Sequence, residues 1–140
     1  MKTEIKVRLG MGEYADYSST VEIELNKYET NQITELFVDK FLEYIPVENT
    51  IQAISHWFTK LRKGAKLIIT GTDLVQVSKA CLTKTLKVPQ INQMLFGHGN
   101  LGKRSCLTLD DTVTLLEHVG LKILVKRLAD YEYTIIAERL

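Results

Sequence analysis

Apolar and polar positions alternate at the start of the chain: Ile5, Val7 and Leu9 fall between Lys6 and Arg8. A period of two is the signature of a β-strand. It returns at Val21, Ile23 and Leu25, interleaved with Glu22 and Glu24, which predicts a second strand over residues 21–25. Residues 33–38 (Ile-Thr-Glu-Leu-Phe-Val) predict a third. The period then lengthens. Val47, Ile51, Ile54, Phe58 and Leu61 recur at intervals of four and three, one apolar stripe of an α-helix. Glu48 lies in its first turn and Lys60, Arg62 and Lys63 in its last, as the helix dipole favours. Gly64 reads as the stop of that helix.

Residues 65–69 run almost wholly apolar, broken only by Lys66. A short apolar run between two helices suits an interior parallel strand covered on both faces. Asp73 is placed to cap a helix over residues 74–83, with Leu74, Val77 and Cys81 inward. Pro89 opens a short helix reaching Phe96. Thr108, with Asp111 three residues on, marks another helix start, whose stripe is Leu109, Val113, Leu116 and Val119; Gly120 ends it. Residues 121–126 and 131–137 are strands joined by a turn at 129–130, so they are antiparallel neighbours. The predicted architecture is α/β: a mostly parallel sheet with an antiparallel hairpin at its carboxyl-terminal edge.

The 140 residues suffice for one domain with a real core and are too few for two. A single domain over residues 1–140 is expected. The net charge of +1 supplies no overall field for nucleic acid or an acidic membrane. No apolar run approaches the roughly 20 residues that span a bilayer. The first residues lack the apolar core of a signal peptide, so a cytoplasmic location is expected. Cys81 and Cys106 have neither metal-ligand spacing nor a disulfide framework, and two buried, reduced thiols are expected.

In open α/β sheets ligands sit at the carboxyl ends of the strands, which selects the candidate residues. Gly10-Met11-Gly12 after the first strand lets backbone approach a ligand closely, or serves as a plain tight turn. Glu24 ends the second strand, where a carboxylate can accept from ribose hydroxyls or stand solvated at an edge. Asp39 and Glu43 follow the third strand as a possible carboxylate pair, or as caps and solvated charges. Thr70, Thr72 and Asp73 follow the fourth. Residues 97–105, with three glycines, His98, Lys103 and Arg104, form the loosest stretch, a candidate ligand loop or a flexible connection.

Three stretches carry a resemblance to a known family. Residues 7–12 (Val-Arg-Leu-Gly-Met-Gly) followed by residues 21–25 (Val-Glu-Ile-Glu-Leu) are similar to the first motif and acidic second strand of the class I S-adenosylmethionine-dependent methyltransferases. Residues 35–45, a helix, then residues 61–67 (Leu-Arg-Lys-Gly-Ala-Lys-Leu) resemble that family's fourth strand, its turn, and the approach to its fifth. Residues 108–123 resemble its last helix and the strand after it. The chain thus looks like a small member of the compact bacterial or phage kind. The resemblance implies a Rossmann-like methyltransferase fold and S-adenosylmethionine as cofactor. It would place the cofactor's amino acid part at Gly10, Met11 and Gly12, its ribose at Glu24, and its methyl group beside Asp39 and Lys40. The acceptor would meet Thr70, Thr72, Asp73 and His98. His98 is the first candidate for a general base and Asp39 the second.

One departure stands out. Only residues 26–32 separate the second predicted strand from the next, where the family builds a helix and a further strand. A parallel crossover needs a dozen residues or more. The resemblance therefore implies an abbreviated fold whose open sheet edge favours homo-oligomers. The alternative to an active enzyme is a non-catalytic binding or assembly module on the same fold. The methyl acceptor is not legible in the sequence.

Overall fold

The computed structural model describes residues 4–10, 27–98 and 101–140, with His98 and Leu101 described by backbone alone. The predicted strand over residues 21–25 lies outside these residues, as do Met11, Gly12 and Glu24. Strands β1 (Lys6–Gly10), β2 (Ile33–Asp39) and β3 (Leu61–Thr72) come first, with a helix, α1 (Thr50–Lys60), between the last two. Helices α2 (Leu74–Leu82) and α3 (Val88–Phe96) follow, then two very short strands, β4 (Gly97–His98) and β5 (Leu101–Gly102). Helix α4 (Leu109–Val119) leads into β6 (Leu121–Ala129) and β7 (Glu132–Arg139).

Five strands form one sheet in the order β1-β2-β3-β7-β6, and β4 with β5 makes a separate small ribbon. β1, β2 and β3 pair in parallel. β7 runs antiparallel to both β3 and β6. β6 therefore points the same way as β1 to β3, and β7 alone is reversed. The expected hairpin is present, with its second strand slotted inside its first.

Strand periodicity does what the sequence implies. Val7 and Leu9 are buried while Lys6 and Arg8 are exposed. β3 is the central strand, and Ala65, Leu67 and Ile69 are buried along it. The core is completed by Phe41, Ile45, Ile54 and Trp57, with the Phe41 and Trp57 rings tilted against each other at 6.4 Å. The helix starts also follow the expected rules. The Thr108 hydroxyl accepts from Asp111 N at 3.0 Å, and Gly120 closes α4 in the left-handed conformation at φ 113°.

Three expectations are corrected. Gly64 does not stop a helix. α1 ends at Lys60, and Leu61 is already extended. Gly64 instead lies within β3 at φ 82°, where the β2–β3 pairing jumps from Ile33–Leu61 to Glu35–Lys66. Four residues of β3 face one of β2, a break in register at which Gly64 takes the positive φ that suits glycine. The buried stripe of α1 is also rotated: Thr50, Ala53, Ile54, Trp57 and Lys60 are buried, while Val47 is 58% exposed. The sheet covers the side that Trp57 can fill, and periodicity alone does not choose between adjacent stripes. Finally, the two thiols are not both buried. Cys81 is exposed and Cys106 is half-buried; Ala80 is the inward residue on that turn of α2.

Candidate functional site

The carboxyl ends of β1, β2 and β3 share one rim. Gly10 is the register partner of Asp39, and Asp39 is the partner of Thr70. The Thr70 hydroxyl donates to Asp39 Oδ1 at 3.1 Å. The Arg8 guanidinium pairs with Asp39 Oδ2 and lies over the Phe37 ring at 5.2 Å. Lys40 turns the chain at φ 51°, and its N–H is held by Thr70 O at 3.2 Å and Thr70 Oγ1 at 3.1 Å. Its ammonium reaches Glu132 Oε2 at 3.3 Å across the rim.

Beyond Lys40 opens a cavity of about 550 Å³, within the range of small-molecule sites. Its walls come from the turn after β2, the end of β3, helix α3 and the β6–β7 turn. Glu43 is the unusual member. It sits in a single 3-10 turn, Leu42–Tyr44, and is buried, with its side chain 5% exposed. Its backbone carbonyl accepts from Arg104 N at 2.8 Å and Ser105 N at 3.0 Å, which anchors the connection to α4. Lys103 Nζ stands 3.0 Å from Glu43 Oε2 and also donates to Met94 O at 2.8 Å. The approach of Lys103 is close enough for an ion pair but off the hydrogen-bonding direction. Among the described residues neither oxygen of Glu43 receives an aligned donor.

The charge on Glu43 is felt by its neighbours. Burial first, and Glu43 second, push the Tyr44 hydroxyl up from its ordinary pKa. The same two causes push the Cys106 thiol up to about 11. Burial also drives the Tyr133 hydroxyl well above its ordinary value, against a hydrogen bond with Thr112 that lowers it.

The expected site residues divide into groups. Lys40 and Thr72 line the cavity. Gly10 and Asp39 meet at the rim beside it. Thr70 is buried and spends its hydroxyl on Asp39 and Lys40. Asp73 is 1% exposed and caps two helices at once: Oδ2 accepts from Gln76 N at 2.9 Å and Oδ1 from Leu109 N at 2.7 Å. Neither Thr70 nor Asp73 lines the cavity. The backbone of His98 follows Gly97, which does line it; the His98 side chain lies outside the described residues. Asp39 and Glu43 do not form a carboxylate pair, since each faces its own cation. The sequence reading passed over Gln90 and Gln93 of α3 and the β6–β7 turn, which belong to the cavity wall. Glu43 did carry a signal: it is the one charge inside the apolar run Phe-Leu-Glu-Tyr-Ile.

Solved structures share this fold. An S-adenosylmethionine-dependent methyltransferase from Methanosarcina mazei superposes with a TM-score of 0.65 at 14% identity, covering 100% of this chain and 94% of that one. The chain has the Rossmann-like methyltransferase fold. An O-methyltransferase family protein from Burkholderia thailandensis gives 0.56 at 14% identity, over 84% of this chain and 32% of that one. The magnesium protoporphyrin IX methyltransferase of Synechocystis, solved with bound S-adenosylhomocysteine, gives 0.56 at 16% identity, over 83% and 48%. The chain thus spans nearly the whole of the first protein and a third to a half of the other two. No family model matches the chain, and no curated protein matches it. Among the described residues no helix is long and apolar enough to cross a membrane.

Proposed function

We propose that this protein transfers a methyl group from S-adenosylmethionine to an acceptor bound in the cavity beside Lys40. The observation that carries this reading is the pairing of Gly10 with Asp39 at the carboxyl end of β1 and β2. It unites two stretches through which the resembled family holds its cofactor, and the next residue, Lys40, already lines the cavity. A Cβ built on Gly10 would meet only the Asp39 carbonyl oxygen, at 3.9 Å, among the described residues. When bound, S-adenosylmethionine would supply a methyl carbon on a sulfonium sulfur, to which the acceptor's nucleophilic atom bonds in line as the carbon–sulfur bond breaks and S-adenosylhomocysteine leaves. The protein's part is to hold the acceptor close and aligned.

In this reading Gly10, Met11 and Gly12 hold the amino acid end of the cofactor and Glu24 its ribose. Thr72 and Lys40 face the acceptor, and His98 is the base where the acceptor needs one. The short link of residues 26–32 belongs to the proposal as an abbreviated cofactor region of the compact bacterial or phage type.

A second reading has its own support. Both carboxylate oxygens of Asp39 are engaged within the protein, by Arg8 and by Thr70. A rim tied up in this way suits a non-catalytic module that keeps the fold for binding or assembly. Calorimetry with S-adenosylmethionine separates the two. Methyl transfer requires binding that is lost in Gly10→Val and weakened in Glu24→Ala. A folded wild-type sample that takes up no cofactor at millimolar concentration leaves only the binding module.

A further inference from the structure

Of the described helices, α1 and α4 are the two that pack on the five-stranded sheet. They cover one face, where Ile54, Trp57 and Leu116 join Leu36, Leu67 and Ile135 in the core. Alternate residues of each strand point to the other face, and the register sorts them into three rows. The first row crosses all five strands with alternating sign: Lys6, Glu35, Lys66, Glu138 and Lys122. The second holds Phe37, Ile68, Ile136 and Val125. These four are half-buried, and they do not join the core on the helical side. The third, at the rim, holds Asp39, Thr70, Thr134 and Arg127.

Interleaved signs disfavour a uniformly charged occupant. A nucleic acid or an anionic bilayer would attract Lys66 and be repelled by Glu35 and Glu138 on either side of it. A second copy of the chain matches the pattern. A twofold axis along the strands, midway between β3 and β7, lays β3 over the partner's β7 and β2 over the partner's β6, row upon row. Lys66 then faces the partner's Glu138, Glu35 the partner's Lys122, and Asp39 the partner's Arg127. Ile68 lies over the partner's Ile136, and Phe37 over the partner's Val125. An axis through β3 itself fails, because it sets Lys66 on Lys66 and Glu35 on Glu138.

We propose that the protein forms a homodimer by stacking this face on its twofold copy, as two aligned sheets about 10 Å apart. Such an interface is isologous, so each of these pairs occurs twice. The apolar rows make its centre and the charged rows its borders, the usual anatomy of an interface. Opposite charges at the borders fix the register. The partner's Arg127 comes to the rim at Asp39, so association adds a cation beside the candidate site. The inference does not rest on methyl transfer.

Sedimentation and small-angle scattering of the full chain, from micromolar to millimolar concentration, read its mass. The expected result is a monomer passing to a dimer, weakened by added salt. Glu35 and Lys122 are the informative pair, since β3 and β7 separate them within one chain. Glu35→Lys and Lys122→Glu should each weaken dimerisation about tenfold or more, because each sets like charges against each other across the axis. Both changes in one chain should restore the dimer, and an equimolar mixture of the two single variants should form a heterodimer. Circular dichroism checks that each variant folds. Lys122 is exposed on the edge strand, so its variant and the double variant keep the test open should Glu35→Lys not fold. A wild-type chain that stays monomeric at millimolar concentration overturns the proposal and leaves the face to another occupant. A dimer indifferent to Lys122→Glu overturns it as well, and so do folded single variants that fail to recombine on mixing.

Discussion

The phenol end of Tyr133 in β7 packs against Gly71 of β3: a Cβ built on Gly71 would stand 2.5 Å from the phenolic oxygen and 2.7 Å from the carbon that bears it. The two residues are register partners in the centre of the sheet, and the tyrosine is 2% exposed. A methyl group has no room there unless a buried ring moves. Gly71→Ala should therefore destabilise the protein by about 1–3 kcal/mol, the usual cost of overpacking a core. Chemical denaturation compared with the parent checks this, and an unchanged midpoint would show that the ring yields freely.

Asp73 should be costlier to lose than an ordinary helix cap. Removing one cap costs about 1 kcal/mol, and this carboxylate serves the first turns of both α2 and α4 from a buried position. Asp73→Ala should cost about 2–4 kcal/mol on adding two such losses. Asp73→Asn, which keeps one acceptor oxygen, should fall between the two proteins. Thermal melts of the three order them directly.

Thr70 predicts a smaller and more local effect. Thr70→Val keeps the shape but removes the hydroxyl that joins Asp39 to the Lys40 turn. The stability cost should be about 1 kcal/mol, that of one ordinary hydrogen bond. If the rim holds S-adenosylmethionine, its affinity should fall as well, because Asp39 is then fixed by Arg8 alone. Denaturation and calorimetry on the same variant report the two effects separately.

The thiol of Cys106 sets a pH dependence with a definite sign. In the unfolded chain it ionises near its ordinary value of 9.0; in the fold it stays protonated up to about 11. Between those values the folded state holds the extra proton, so stability is intact below about pH 9 and declines towards 11. Cys106→Ala should flatten that part of the decline. The raised Tyr133 hydroxyl continues the loss at still higher pH. Denaturation midpoints measured across the alkaline range test both, and alkylation at mildly alkaline pH should label exposed Cys81 before Cys106.

Local chemistry made much of the fold readable. Asp73, Thr108 and Gly120 act within one turn of their own position, so their capping roles are written in a few adjacent residues. Gly64 misled for the same reason. A glycine after a helical pattern satisfies the rule for a helix stop, and the rule cannot see that β2 pairs across it and forces a bulge into β3. The site was less legible because its contacts are remote in sequence. Nothing near Asp73 announces that its second oxygen caps Leu109, and nothing near Glu43 announces Lys103. Among the residues expected to face the acceptor, Thr70, Thr72 and Asp73 were selected by strand end alone. Of the three chosen in this way, Thr72 lines the cavity, while the structure uses the side chains of Thr70 and Asp73 for its own support.

The opposite end of the sheet explains how such a rim can vary. Arg139, next to the last residue, donates to Asn31 Oδ1, Phe58 O and Leu61 O and lies 4.4 Å over the Phe58 ring. Lys60 reaches Tyr28 O at 2.7 Å close by. The reversed strand β7 thus ends on the far side of the sheet, and Arg139 rivets it where no ligand is expected. Loops at the mouth of the cavity can change length or composition while this foundation stays put, so the rim can vary without the sheet being rebuilt.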